Sequence, residues 1–297
     1  MKALINTLLL VFVVQGAVVA YLYWSDEGFT GALSSNRFIP VEPYFLDEIL
    51  VEDDEGNEAV LLKAGENWVL PDLTGLAVDP ELIEALLQNV VHVDTSWPVA
   101  NSVAARQRFA LTDYNFLRRL TLIGKGEILG TIYLGKSPGF KKVYARNSSQ
   151  NDIFALSFNS VDASGMEADW LDKSLLQIPS PHSISTDSYS LHKQETGWLS
   201  DSGATPDTRE LDALLLALAS IQVQGIARDK LQQTLSIATP EIKLTVKTVD
   251  AETHIALFTL GEQHYIQRSD YALFFTLSDY DFDRFSTLDT RRLRGSE

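Results

Sequence analysis

The sequence predicts an α+β protein: an N-terminal transmembrane helix followed by two tandem copies of an antiparallel-sheet-plus-helix unit. Three observations predict it. A nearly unbroken apolar run opens the chain, short motifs recur at offsets falling from 130 to 118 residues, and strand-like segments are joined by turns rather than crossover helices. In chain order the segments read as a membrane anchor (1–25), a linker (26–47), unit one (48–178), a linker (179–187) and unit two (188–297).

Residues Ala3 to Trp24 carry only Asn6, Thr7 and Gln15 as clearly polar side chains. As a helix this stretch rises about 33 Å, enough to cross a bilayer core. Lys2 precedes it and Asp26-Glu27 follow, so the positive-inside rule places the N-terminus in the cytoplasm and the rest outside. Tyr21, Tyr23 and Trp24 sit where an interfacial aromatic belt belongs. A cleaved signal peptide is the competing reading, with Val18 and Ala20 ahead of the cut. Length and the aromatic end favour an uncleaved anchor.

Composition narrows what the remainder does. With 45% hydrophobic residues the chain can bury a core. A net charge of −16 argues against nucleic acid and predicts that anionic lipid headgroups repel the folded part. The absence of cysteine removes disulfides, thiolate metal sites and cysteine nucleophiles. Between Arg37 and Lys63 lie eight acids and no base. Asp53-Asp54-Glu55-Gly56-Asn57 within that run reads as a solvated hairpin turn, because it lacks the ligand spacing of a calcium loop.

The repeat is visible as a series of paired segments. VLLKAGENWVLPD (60–72) answers to YSLHKQETGWLSD (189–201), pairing Lys63 and Trp68 with Lys193 and Trp198. DPELIEALLQNV (79–90) answers to DTRELDALLLALASI (207–221) as a helix. Asp79 and Pro80 mark the first helix start, and Asp207 with Glu210 has capping-box spacing at the second. TIYLGK (131–136) answers to LFTLGE (257–262), pairing Gly135 with Gly261; VYAR (143–146) answers to YIQR (265–268), pairing Tyr144 and Arg146 with Tyr265 and Arg268. Polar helices over 168–178 and 278–293 are expected to close the units.

Gly130 to Ser137 matches the P-loop pattern, with Gly130, Gly135, Lys136 and Ser137 in the phosphate-binding places. Thr-Ile-Tyr-Leu inside it favours a strand, and Pro138-Gly139 begins a turn where a helix is required. Glu262 in the second copy stands opposite Lys136 and would repel phosphate. The match is rejected.

These elements resemble the bacterial domain-of-unknown-function family numbered 4340. The resemblance rests on the K-x-x-x-x-W strand, the following helix, the Leu-Gly strand end, the Tyr/Arg strand and the closing run Asp169 to Leu176. It spans roughly residues 50 to 290. The chain departs from members that carry Tyr-Gly-Leu followed by proline: it has Asp113-Tyr114-Asn115 in one copy and Leu235-Ser236-Ile237 with Pro240 in the other. The resemblance implies no catalytic residues. It implies an accessory protein encoded beside gliding-motility-type ABC transporters, with permease and ATPase subunits as partners; the anchor places the chain in the bacterial inner membrane with its main domain periplasmic or extracytoplasmic.

Other constellations fall short. His92, His182, His192, His254 and His264 have no zinc spacing, although His254 and His264 could face each other across a hairpin. Asp279, Asp281 and Asp283 begin like a calcium loop, but Arg284 takes the glycine position and Thr290 the final ligand position. There is no G-x-S-x-G elbow. The expectation is therefore a non-enzymatic accessory protein without cofactor or metal. A free-standing envelope-binding module is the alternative, and a hydrolase with unrecognised carboxylates follows it.

Overall fold

A computed structural model describes residues 15, 37–39, 45–93, 95 and 97–295. The anchor expected over 1–25, with Tyr21, Tyr23 and Trp24, lies outside the described residues except for Gln15. Among the described residues no helix is long and apolar enough to cross a membrane. The chain is mixed α+β, with large antiparallel sheets and few helices.

The strands are β1 (Glu48–Asp53), β2 (Glu58–Ala64), β3 (Asn67–Leu70), β4 (Leu76–Ala77), β5 (Leu111–Thr112), β6 (Asn115–Phe116), β7 (Arg118–Gly124), β8 (Glu127–Leu134), β9 (Val143–Asn147) and β10 (Phe154–Leu156). After them come β11 (Ser183–Ser185), β12 (Ser190–Gln194), β13 (Gly197–Ser200), β14 (Val223–Ile226), β15 (Ile242–Lys247), β16 (Glu252–Leu260), β17 (Gln263–Arg268) and β18 (Phe275–Leu277). Helices α1 (Pro80–Leu86), α2 (Val103–Arg108), α3 (Thr208–Ser220), α4 (Asp229–Ser236), α5 (Asp279–Ser286) and α6 (Thr290–Leu293) cover them.

One sheet has the order β10-β9-β8-β7-β1-β2-β3-β4. The other has β14-β18-β17-β16-β15-β11-β12-β13. Alternation explains the inward faces: Ile49 and Val51 of β1, and Leu244 and Val246 of β15, are buried while their neighbours are not. The main core runs from one sheet to the other without a break. Each sheet also carries a small outer core under a short helix. Ala105 of α2 covers Leu111, Tyr133 and Ile153, and Leu235 of α4 covers Phe258, Tyr265 and Phe274.

Local signals behave as their chemistry requires. Asp79 caps α1 by accepting from the Glu81 and Leu82 amides. Asp207 caps α3, accepting from Arg209 and Glu210. Glu210 does not complete a capping box; its carboxylate accepts from the Asp289 amide instead. Residues 53–57 form the expected turn between β1 and β2, with Gly56 at φ +86.

The closing helices differ from expectation. Residues 168–178 are not an α-helix. A short 3-10 turn over Glu167–Trp170 leads into a segment that joins the halves. The Asp79 amide donates to Trp170 O at 2.7 Å and Asp172 N to Ala77 O at 3.0 Å, tying it to the first sheet. Val223 N donates to Lys173 O at 3.0 Å and Ile178 N to Leu218 O at 2.8 Å, tying it to the second. Backbone groups committed to two partners in this way cannot also close a helical ladder. The stretch 278–293 breaks at 287–289 into α5 and α6, because Asp289 caps a new helix. The described residues of the two stretches read as linkers belong to the folded body. Phe38 and Ile39 are buried, and Ser183–Ser185 is a central strand of the second sheet.

Candidate functional site

The recurring lysine and tryptophan do not share the one strand expected of K-x-x-x-x-W: a turn after Ala64 and after Gln194 splits it into a hairpin, and the two side chains face each other across strand pairs. Lys63 is the register partner of Trp68 between β2 and β3, and Lys193 is that of Trp198 between β12 and β13. Trp68 is buried and Trp198 packs half-buried against the main core, so both serve packing.

Tyr144 and Tyr265 also hold equivalent places, each in the outer core of its sheet. Tyr144 stacks on Phe109 with ring centroids 4.1 Å apart, and Tyr265 is the register partner of Phe258. The arginines do not correspond. Leu134 pairs with Ala145 and Ile132 with Asn147, whereas Leu257 pairs with Ile266 and Ile255 with Arg268. Arg268 therefore occupies the place of Asn147. It binds the Asp270 carboxylate through two nitrogens, both at 2.7 Å.

Arg146 is only 8% exposed and has no carboxylate partner among the described residues. Its Nε donates to Leu111 O at 2.8 Å, and Nη1 reaches the carbonyls of Asn147 and Gln150 at 3.3 and 3.2 Å. The guanidinium lies over the Tyr133 ring, 4.7 Å from its centroid. Burial pulls its pKa below the ordinary arginine value, opposed by Tyr133 and Asp113 and reinforced by Arg106. This geometry staples the β5 hairpin to the loop after β9; sequence spacing carries no sign of it.

The glycines differ too. Gly135 follows β8, where an added β-carbon would stand 2.0 Å from Phe109 O. Gly261 lies in the tight turn between Leu260 and Gln263 at φ +67, with open space around it. Glu262 therefore does not stand in the place of Lys136. The rejection stands on geometry: Gly130 to Leu134 lies in β8, and residues 136–142 form an exposed loop.

The histidines do not converge. His254 bonds Thr245 Oγ1 at 3.0 Å, while His264 stacks on Phe282 and bonds Thr259, so the two are not opposed. Among the described residues no three metal-ligating side chains cluster. Asp281 is buried, bonded to Ser278 and Arg284, and so is committed to the start of α5. One Ser–His–Asp contact exists: Ser183 Oγ lies 3.0 Å from His192 Nδ1, and Asp201 lies 3.1 Å from Nε2. Ser190 shares that same Nε2 at 3.1 Å, and Asp201 is solvent-exposed. This differs from an acyl-transfer triad, in which a buried carboxylate orients the imidazole.

Two open clefts, of about 330 and 350 Å³, adjoin on the second sheet. They share Thr186, Asp187 and Lys243; Glu241 and Ser286 line the first and His254 the second. Both lie within the second half rather than between the halves.

The fold defines a class: a mixed α+β protein of two large antiparallel sheets around one core. The model of a family described as a domain of unknown function (DUF4340) matches residues 68–240, and the chain belongs to that family. The match runs from Trp68 to Pro240 and so crosses both halves. No curated protein and no solved structure matched the chain.

Proposed function

We propose that the chain is a non-enzymatic, membrane-anchored, extracytoplasmic accessory protein of an ABC-type transport system, built from two tandem copies of one unit. One observation carries the duplication: strands β9-β8-β7-β1-β2-β3 follow the same order as β17-β16-β15-β11-β12-β13, with Lys–Trp pairs in the same register. The engagement of Arg146, His254, His264 and Asp281 in structural bonds supports a scaffold role. The apolar run at 3–24 supports the anchor. The transport association rests on the resemblance alone. The test is gentle detergent extraction from native membranes, affinity capture and mass spectrometry. A permease and an ATPase should be recovered with the chain and lost when the anchor is replaced by a cleavable signal. Recovery of the chain alone, with its anchor intact, would overturn the reading.

The second reading is an envelope-ligand module, favoured by the adjoining clefts around Asp187 and Lys243. Sedimentation with isolated envelope polymers tests it, and retention equal to that of an acidic control protein would exclude it.

A further inference from the structure

The net charge of −16 hides a division. Between Asp94 and Asp152 the chain carries nine lysines and arginines against two acids, Asp113 and Glu127, while the rest holds 15 bases and 38 acids. Of the nine, Arg118 and Arg119 are paired with Asp54 and Glu52, Arg146 is buried, and Lys125 lies in the turn at the far end of the β7–β8 hairpin. That leaves Arg106, Arg108, Lys136, Lys141 and Lys142, none of them ion-paired among the described residues. The fold sets the loop that carries the three lysines beside the helix that carries the two arginines, of which Arg106 is bonded to Asn151 Oδ1. Lys136 N donates to Phe109 O at 2.9 Å, which sets the 136–142 loop against the C-terminal end of α2. Arg108 covers the Phe109 ring, and Phe109 stacks on Tyr144.

At the tip of this basic surface stands Phe140, 89% exposed, with Lys141 Nζ 5.5 Å from its ring centroid. The tip is held in shape. Ser137 Oγ donates to Gly139 O, Lys142 N donates to the same carbonyl at 3.2 Å, and Lys141 takes φ +50. Two of the acids at this end of the sheet are engaged, Asp53 by three hydrogen bonds in its own turn and Asp54 by Arg118, while Glu55 and Asp113 are exposed.

The structure assigns this surface to an anionic lipid bilayer, with Phe140 at the acyl boundary and the lysines on headgroup phosphates. A rigid apolar tip flanked by cations gains from both layers of the interface, the ring from the acyl boundary and each basic residue from the headgroup charge. An acidic protein would satisfy the cations and leave Phe140 without an apolar partner. The expectation that anionic headgroups repel the folded part thus fails locally, because screening confines each charge to a range of about 10 Å. The inference rests on the anchor within the reading above, not on the transport partners.

The absence of cysteine permits a clean label. Full-length chain carrying Gly139→Cys, where an added side chain meets no atom within 4 Å, with an environment-sensitive fluorophore is reconstituted into vesicles of phosphatidylcholine alone or with one-third phosphatidylglycerol. We expect a blue shift and quenching by acyl-brominated lipid only with phosphatidylglycerol. That quenching should fall at least fivefold with Lys136→Glu, Lys141→Glu and Lys142→Glu combined, or with Phe140→Ser; all four residues are exposed. Equal emission in both vesicles, or quenching that survives charge reversal, overturns the inference. So does a blue shift that grows with protein concentration in lipid-free detergent, which would assign the surface to the acidic face of a second copy. Alkaline carbonate extraction separates the two failures: release of the chain overturns the anchor, and retention with a water-exposed label overturns the loop alone.

Discussion

Gly135 lies so close to Phe109 that a β-carbon on it would stand 2.0 Å from the Phe109 carbonyl oxygen and 2.7 Å from that of Ala110. Both obstacles are backbone and cannot swing away. Gly135→Ala should therefore cost about 3 kcal/mol by forcing α2 off the sheet. Gly261→Ala meets no atom within 4 Å and carries only the strain of φ +67, about 1 kcal/mol. Urea unfolding of the two variants measures the difference; equal losses would mean that the close approach is not rigid.

Trp170 is fully buried, and its Nε1 donates to Ser164 O at 2.7 Å where the joining segment leaves the first sheet. Trp170→Ala should lower stability by about 3–5 kcal/mol. Trp170→Phe keeps much of the volume but leaves the carbonyl without its donor, at about 1–3 kcal/mol. If the segment couples the halves, Trp170→Ala should split one unfolding transition into two. Calorimetry reads this directly, and a single shifted transition would argue against the coupling.

Arg146 reaches Leu111 and Gln150 from different guanidinium nitrogens. An ammonium cannot span both carbonyls, so Arg146→Lys should destabilise by about 2 kcal/mol despite retaining the charge. Hydrogen exchange should quicken in β5 and in residues 147–150 ahead of the main core. Unchanged protection there would show that the staple contributes little.

Two carboxyl groups should move stability with pH in opposite directions. Burial raises the Asp53 pKa, but hydrogen bonds from Asn57 and Glu55 and the Arg118 charge outweigh it and leave it below the ordinary 3.8. Its contribution is present above that value and is lost as pH falls through the depressed pKa. Asp53→Asn should cost about 1 kcal/mol at neutral pH, with the difference closing in strong acid. Glu167 is the reverse: burial and the nearby Asp72 raise its pKa against a backbone hydrogen bond from Val60, and among the described residues Oε1 is buried without a partner. Its charged form weakens the fold at neutral pH, and that penalty disappears as pH falls through the raised pKa. Glu167→Gln should gain about 1 kcal/mol at pH 7 and nothing below pH 4.5. Thermal melts of both variants across that range check the signs.

The parts of the fold legible from sequence alone are those set by near neighbours. The 53–57 turn, the Asp79 and Asp207 caps and the inward alternation each depend on residues within one or two turns of chain. Similar short motifs misled where register mattered. Leu-Gly recurs at 134–135 and 260–261, yet a shift of three residues places one glycine against backbone and the other in open space. The same kind of slip, by one residue, separated Arg146 from Arg268. A total charge likewise holds no information about where cations gather.

The sequence by itself determined that this protein is α+β and carries a membrane-length apolar run, because hydrophobic period and turn chemistry are local properties. Only the tertiary structure decided that residues 170–178 join the halves, that Arg146 is buried on carbonyls, and that the 136–142 loop carrying Phe140 is set against the end of α2. Each of those depends on backbone groups brought together from distant strands, and their partners are chosen only when the sheets close.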